Sequence, residues 1–194
     1  MIFPLMVRAD RLRALVVGGG QVAHRKTADL LAAGVEVEVI SPKCSLELEE
    51  LLSARGVLHH RRGFRPGDTA GFGLVVVATD DAALNRSISE EAGRAGIPVN
   101  VVDRPELCTV YFPAVVRREN LLLAISTGGG APFFARELRK RLEAWVDEGW
   151  SDRARWAVSL RSYALREVPD PAQRELLFAR LMDAAPEEIA EKER

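Results

Sequence analysis

The stretch LRALVVGGGQVAHRKTADLLAAG, residues 12–34, decides how the rest of the chain is read. An apolar run, Leu12–Val17, ends in three glycines, Gly18-Gly19-Gly20. Ala23, Ala28, Leu30, Leu31 and Ala33 then recur at helical spacing until Gly34 closes the pattern. A strand that enters a helix through glycines makes a place for an anion. In Gly18-x-Gly20-x-x-Ala23 the first glycine permits a tight turn and the second removes a Cβ where a pyrophosphate would approach. The small third residue lets helix lie on strand, and the helix N-terminus offers free N–H groups and a positive dipole end. The context favours a dinucleotide-binding turn over a turn that is merely tight.

Working outward, short apolar runs alternate with helical patterns as far as residue 103. Val35–Ile40 reads as a strand, Leu46–Ala54 as a helix and Val57–His60 as a short edge strand. Leu74–Ala78 is an unbroken β-branched run, expected of a strand buried on both faces. Ala82–Ala95 reads as a helix and Pro98–Val102 as the next strand. Strands alternating with helices imply a parallel sheet covered on both sides. Then the pattern changes. Val110–Val116 and Leu121–Ser126 read as an antiparallel pair across Arg117-Arg118-Glu119-Asn120. A second triplet, Gly128-Gly129-Gly130, precedes Pro132 and a helix over Phe133–Val146. The polar tail beyond Gly149 reads as helical, with breaks at Pro169–Pro171 and Pro186. Its eight basic and nine acidic groups from Ser151 onward fit a mixed-charge bundle. The expected organisation is α/β over 1–103, a small α+β region over 104–148 and helices over 149–194.

Composition excludes several classes. With 27 basic and 28 acidic side chains the net charge is −1, which gives no reason to expect a nucleic-acid partner. No apolar run approaches a membrane span, and the first residues lack the length of a signal-peptide core. Cys44 and Cys108 read as ordinary reduced thiols, so a cytoplasmic protein is expected. His24, His59 and His60 show no metal-ligand spacing, and no metal site is expected. His24 reads as structural or solvent-facing, and Trp145, Trp150 and Trp156 as helix-packing or interface residues.

Four places carry candidate chemistry. The acid that ordinarily ends the second strand to hold a ribose is missing. Ser41-Pro42-Lys43 stands there instead, while Glu36 and Glu38 lie inside the strand and are expected to face solvent. The ribose then falls to backbone groups of this turn or to the Ser41 hydroxyl, and Lys43 leaves NAD and NADP both open. Thr79-Asp80-Asp81 follows the fourth strand on the ligand-binding edge; either aspartate is also a natural helix cap. Asp103 ends the fifth strand, where a carboxylate can take the proton that accompanies hydride removal from carbon, or can order the turn before Pro105. Ser126-Thr127-Gly128-Gly129 is either an anion nest or a plain glycine turn. Between Arg104 and Arg141 stand seven Arg or Lys and three acids, a local excess of +4 that includes Arg117 and Arg136. Such a segment suits a polyanionic ligand.

These residues resemble the precorrin-2 dehydrogenase family, the N-terminal portion of siroheme synthases and its free-standing relatives. The matching stretches are VVGGGQVAHRKTADLLAAG (16–34), VVVATDDAALN (75–85), VNVVDRPELC (99–108), YFPAVVRRENLLLAISTGGGAP (111–132) and ARELRKRLE (135–143). The resemblance implies a Rossmann domain, a dimerisation region and a helical region, in a homodimer that oxidises the tetrapyrrole precorrin-2 to sirohydrochlorin with NAD. Gln21, Val22, Pro42 and Lys43 match positions that contact the dinucleotide. Asp103 matches the aspartate implicated in dehydrogenation and, in bifunctional relatives, in Fe2+ insertion. Thr127 stands where the family has a serine beside the tetrapyrrole, and Arg104 where it commonly has a second aspartate. The methyltransferase part of the larger relatives does not fall within the 194 residues, so methylation is expected from another protein.

Three functions are therefore in play: a dehydrogenase with Asp103 as base, a bifunctional dehydrogenase and ferrochelatase (a lyase), and a non-catalytic dinucleotide-sensing module. The carboxylate-rich macrocycle suits the basic segment. The missing acid after strand two and that same segment argue against an ordinary sensor.

Overall fold

The computed structural model describes residues 2–183. Five parallel strands form one sheet in the order β3-β2-β1-β4-β5. They are β1 (Arg13–Val17), β2 (Glu36–Ile40), β3 (Leu58–His60), β4 (Leu74–Val77) and β5 (Val99–Val101). Helices α1 (Gln21–Ala32), α2 (Leu46–Arg55) and α3 (Ala82–Arg94) make three of the crossovers, and residues 61–73 connect β3 to β4 without a helix. Chain order reverses between β1 and β4, and a crevice opens at the carboxyl ends of such neighbours. The parallel α/β reading holds, with element ends moved by a residue or two.

Alternation along the strands sorts the core into two layers. Ala14, Val16, Val37, Val39, Leu74 and Val76 pack with Ala23 and Leu30 of α1 and Leu48 and Leu52 of α2. Leu15, Val17, Ile40, Val75, Val77, Val99 and Val101 pack on the other face with Ile88 and Ala92 of α3. Every residue of β4 is buried, which is why its sequence shows no polar alternation.

Two expectations about this sheet need correction. Glu38 is not solvated: it pairs with Arg13 at 2.7 Å and with His60 on the edge strand at 2.8 Å. The strand expected from Val110 begins only at Ala114. The segment before it is already engaged along β5, because the Thr109 and Val110 N–H groups both donate to Val99 O and Asn100 Nδ2 donates to Val110 O.

Among the described residues, those up to Phe112 form one compact unit and those from Pro113 another. In the second unit, β6 (Ala114–Arg118) and β7 (Leu121–Ile125) pair antiparallel from Ala114↔Ile125 to Arg118↔Leu121. The turn is therefore Glu119-Asn120, shorter than the polar run suggests, with Glu119 at φ 44°. Helices α4 (Pro132–Trp145), α5 (Glu148–Glu167) and α6 (Pro171–Asp183) follow. Pro132 occupies the first turn of α4 as expected, and the helix is interrupted between α5 and α6 at Val168–Asp170. The break expected at Pro186 lies outside the described residues. The rings of Trp145 and Trp150 approach to 4.8 Å, an intra-unit packing role. Among the described residues no helix is long and apolar enough to cross a membrane.

Candidate functional site

The loop from β1 to α1 is shaped by what surrounds its glycines. Gly18 has φ 129°, and a Cβ there would meet Ala78 O at 2.1 Å, so β1 and β4 approach as only glycine allows. Gly19, a position the motif leaves free, is tighter still: an added Cβ would lie 1.9 Å from Lys43 O and 2.4 Å from Ser41 Oγ. Gly20, by contrast, has nothing within 4 Å. It forms the N-cap of α1 without a side-chain cap, and no acid stands in the first turn. Ala23 is fully buried against the sheet. The start of α2 differs, because Ser45 caps it and Glu47 stands in its first turn. Bonds to its own backbone N–H and to Ser45 hold the Glu47 carboxyl below its usual range. The α1 terminus is thus left for an outside anion, and open space above Gly20 leaves room for one. The residues fit a dinucleotide pyrophosphate.

The turn after β2 is locked to this loop. Ser45 N–H donates to Gly19 O at 2.7 Å, and Gly18 N–H donates to Ile40 O at 3.0 Å. Ser41 is buried and its hydroxyl donates to Lys43 O at 2.5 Å. The hydroxyl hydrogen is thus committed to the turn. Pro42 and Lys43 are exposed. His59 reaches Ser41 O at 3.0 Å and Cys44 Sγ at 3.4 Å, and burial is the largest influence raising the Cys44 thiol pKa.

Across the switch point, a recess of about 240 Å³ lies between Val22 of α1, Ala78–Asp80 after β4, Asn85 of α3 and Val102–Arg104 after β5. Here the structure separates the two aspartates. Asp81 caps α3, accepting from Ala83 and Leu84 N–H at 2.9 and 3.0 Å, while Asp80 borders the recess. Thr79 donates to Asn85 Oδ1 at 2.5 Å, and Asn85 Nδ2 returns a bond to Thr79 O at 2.9 Å. Sequence does not single out buried Asn85, whose only trace there is its place six residues after Thr79 in ATDDAALN. Asp103 is exposed at the rim of the recess with φ 57°, a left-handed backbone that aspartate tolerates better than most residues. Such a conformation at a ligand-binding edge is a recurrent mark of a functional turn.

The remaining candidates belong to the second unit. Gly128 and Gly129 have φ of 67° and 83°. Thr127 Oγ1 accepts from Ala131 N–H at 3.1 Å and Ser126 Oγ from Gly128 N–H at 3.1 Å, so these side chains shape the loop. The local charge excess is smaller than the count to Arg141 implies. Glu143 pairs with both Arg118 and Arg139, and Glu137 pairs with Lys140. Arg117 and Arg136 are exposed and make no ion pair among the described residues.

An NAD(P)-binding family model matches residues 5–114, which hold all five parallel strands. A siroheme synthase of Pseudomonas paraeruginosa (strain PA7) is 42% identical over 189 residues, and one of Methylococcus capsulatus (strain Bath) 40% over 188. These alignments cover 97% and 96% of the chain, but the chain spans only 40% of each relative's length. The solved structure of SirC, precorrin-2 dehydrogenase, superposes with a TM-score of 0.77 at 24% identity, covering 93% of this chain and 89% of that one. The likeness of fold thus extends through both units, and the chain belongs to the NAD(P)-binding family whose model spans its parallel sheet.

Proposed function

We propose that the chain oxidises precorrin-2 to sirohydrochlorin with NAD, and that Asp103 is the general base. The observation that carries the reading is the placement of Asp103: a left-handed carboxylate-bearing turn sharing a recess with Thr79 and the start of α1. When bound, NAD supplies the two-electron acceptor. The α1 N-terminus, with Gly18, Gly20, Gln21 and Val22, holds the pyrophosphate; Pro42 and Lys43 hold the ribose, with Ser41 acting through Lys43. Thr79, fixed by Asn85, and Asp80 border the end of the cofactor at which electrons are exchanged. Asp103 takes the proton left on the macrocycle and releases it to solvent. Arg117 and Arg136, with the loop at Thr127, Gly128 and Gly129, supply binding for the substrate carboxylates.

We read the protein as a cytoplasmic homodimer. Two free thiols support the compartment, and exposed Phe133, Phe134 and Trp145 on α4 support the dimer. The deciding experiment mixes purified protein with precorrin-2 and NAD and follows NADH absorbance. Asp103→Asn should lower kcat by about 100-fold or more with little change in NAD affinity. A wild-type protein that produces no NADH would overturn the proposal, and tight NAD binding without turnover would restore the sensing module.

A further inference from the structure

One thiol ties together both ends of the turn that carries Asp103. Cys108 follows the 3-10 turn Pro105–Leu107, and its Sγ accepts from Val101 N–H at 3.2 Å. The same sulfur lies 3.2 Å from Val101 O and 3.3 Å from Arg104 O, the carbonyls at the two ends of the turn. A thiol has a single hydrogen, so donation to these carbonyls is shared or alternates. Asn100 Nδ2 approaches the sulfur at 3.7 Å, and Arg104 N–H closes the turn on Val101 O at 3.3 Å. Burial raises the Cys108 thiol pKa, in keeping with a neutral donor at physiological pH. Between the clamped ends only Val102 and Asp103 remain, and Asp103 takes the left-handed backbone.

We propose that Cys108 is a positioning residue, whose thiol clamps both ends of the Val101–Arg104 turn and so fixes the Asp103 carboxylate at the recess. The inference rests on Asp103 being the base. A clamp of this kind acts on geometry in the reacting complex, so its loss falls on kcat rather than on the affinity of groups bound elsewhere. Serine offers a donor and an acceptor in the same place and restores part of the clamp; alanine offers neither.

The test uses the full chain with NAD and precorrin-2. Cys108→Ala should lower kcat about tenfold while KM for precorrin-2 and NAD affinity stay within about twofold. Cys108→Ser should recover most of that loss, and Cys108→Ala should slow an Asp103→Asn background by less than about twofold. Wild-type kcat in Cys108→Ala, or a serine variant no faster than alanine, overturns the clamp. So does a double variant in which the two losses multiply. If Cys108→Ala does not fold, Cys108→Ser decides alone: kcat within about threefold of wild type supports the clamp, and a loss as large as that of Asp103→Asn overturns it. The two readings fail differently. Wild-type turnover by Asp103→Asn removes the base itself, whereas a slow Asp103→Asn beside a fast Cys108→Ala removes only the clamp.

Discussion

Gly18→Ala and Gly20→Ala alter the same glycine loop, yet the structure assigns them opposite consequences. At Gly18 an added Cβ would stand 2.1 Å from Ala78 O and 2.7 Å from Ala78 C, where ordinary contact begins at 3.4 Å. Strands β1 and β4 would have to part by more than about 1 Å, at an overpacking cost of about 1–3 kcal/mol. The φ of 129° lies outside the space of L side chains and adds strain of about 1–3 kcal/mol. Together these remove about 2–6 kcal/mol from a domain whose whole stability is about 5–15 kcal/mol. At about 2–4 °C per kcal/mol for a chain of this size, the midpoint should fall by about 4–24 °C. Gly20 has φ −88° and ψ −173°, which alanine adopts freely, and open space around it. Weaker N-capping by alanine costs about 1 kcal/mol or less. Its methyl group, however, occupies the approach to the α1 N-terminus, so NAD affinity should drop by about tenfold or more, about 1.4 kcal/mol. Scanning calorimetry and calorimetric NAD titration measure both quantities on each variant. A Gly18→Ala midpoint within about 2 °C of wild type would refute the packing argument. Unchanged NAD affinity in Gly20→Ala would refute the placement of the pyrophosphate.

Asp81→Ala removes the cap on Ala83 and Leu84 N–H, and should cost about 1 kcal/mol of stability without touching turnover; a catalytic defect at full stability would contradict that assignment. Glu91 accepts from Gly67 N–H, Thr69 N–H and Thr69 Oγ1. Burial works against its ionised form, yet these bonds lower its pKa in the folded state. A lowered folded pKa contributes stability that is complete above the ordinary carboxylate pKa of about 4.3 and lost as pH falls through the folded value. Glu91→Gln should therefore melt earlier at pH 7 and lose less on going from pH 5 to pH 3; parallel melting curves across that range would count against it. Arg117→Ala combined with Arg136→Ala should raise KM for precorrin-2 about tenfold and leave NAD affinity unchanged, and an unaltered KM would release both arginines from substrate binding.

How much of this was legible in the sequence depends on how far apart the cause and its consequence lie in the chain. Burial of β4 on both faces is written in four successive residues, Leu74–Val77, and the glycine turn in six, Gly18–Ala23. Both were readable because strand burial and helix entry are local. The need for glycine at position 19 arises from the carbonyl of Lys43, which reaches the loop only through the fold. The solvent-facing reading of Glu38 failed for a related reason, since its partners Arg13 and His60 belong to neighbouring strands. The late start of β6 follows from hydrogen bonds that commit Thr109 and Val110 to β5, a choice that apolar pattern alone does not display.

The site divides along the same line. Residues proposed to meet ligands stand at strand ends, and a strand end can be counted off the sequence; Thr79 and Asp103 are read that way. Residues that hold those strand ends in shape act by side-chain bonds to backbone carbonyls, and such bonds depend on the path of the loop rather than on spacing. Asn85 holds Thr79, Ser41 holds Lys43, and Cys108 holds both ends of the Asp103 turn. Of these three, only Ser41 is expected from sequence as a ligand contact, and its bond gives it a structural task as well. The carboxyl edge of the sheet is therefore a set of backbone turns, each stiffened by one partly or fully buried polar side chain outside the glycine motif. Functional sensitivity to substitution should extend to those three positions, although no ligand need touch them.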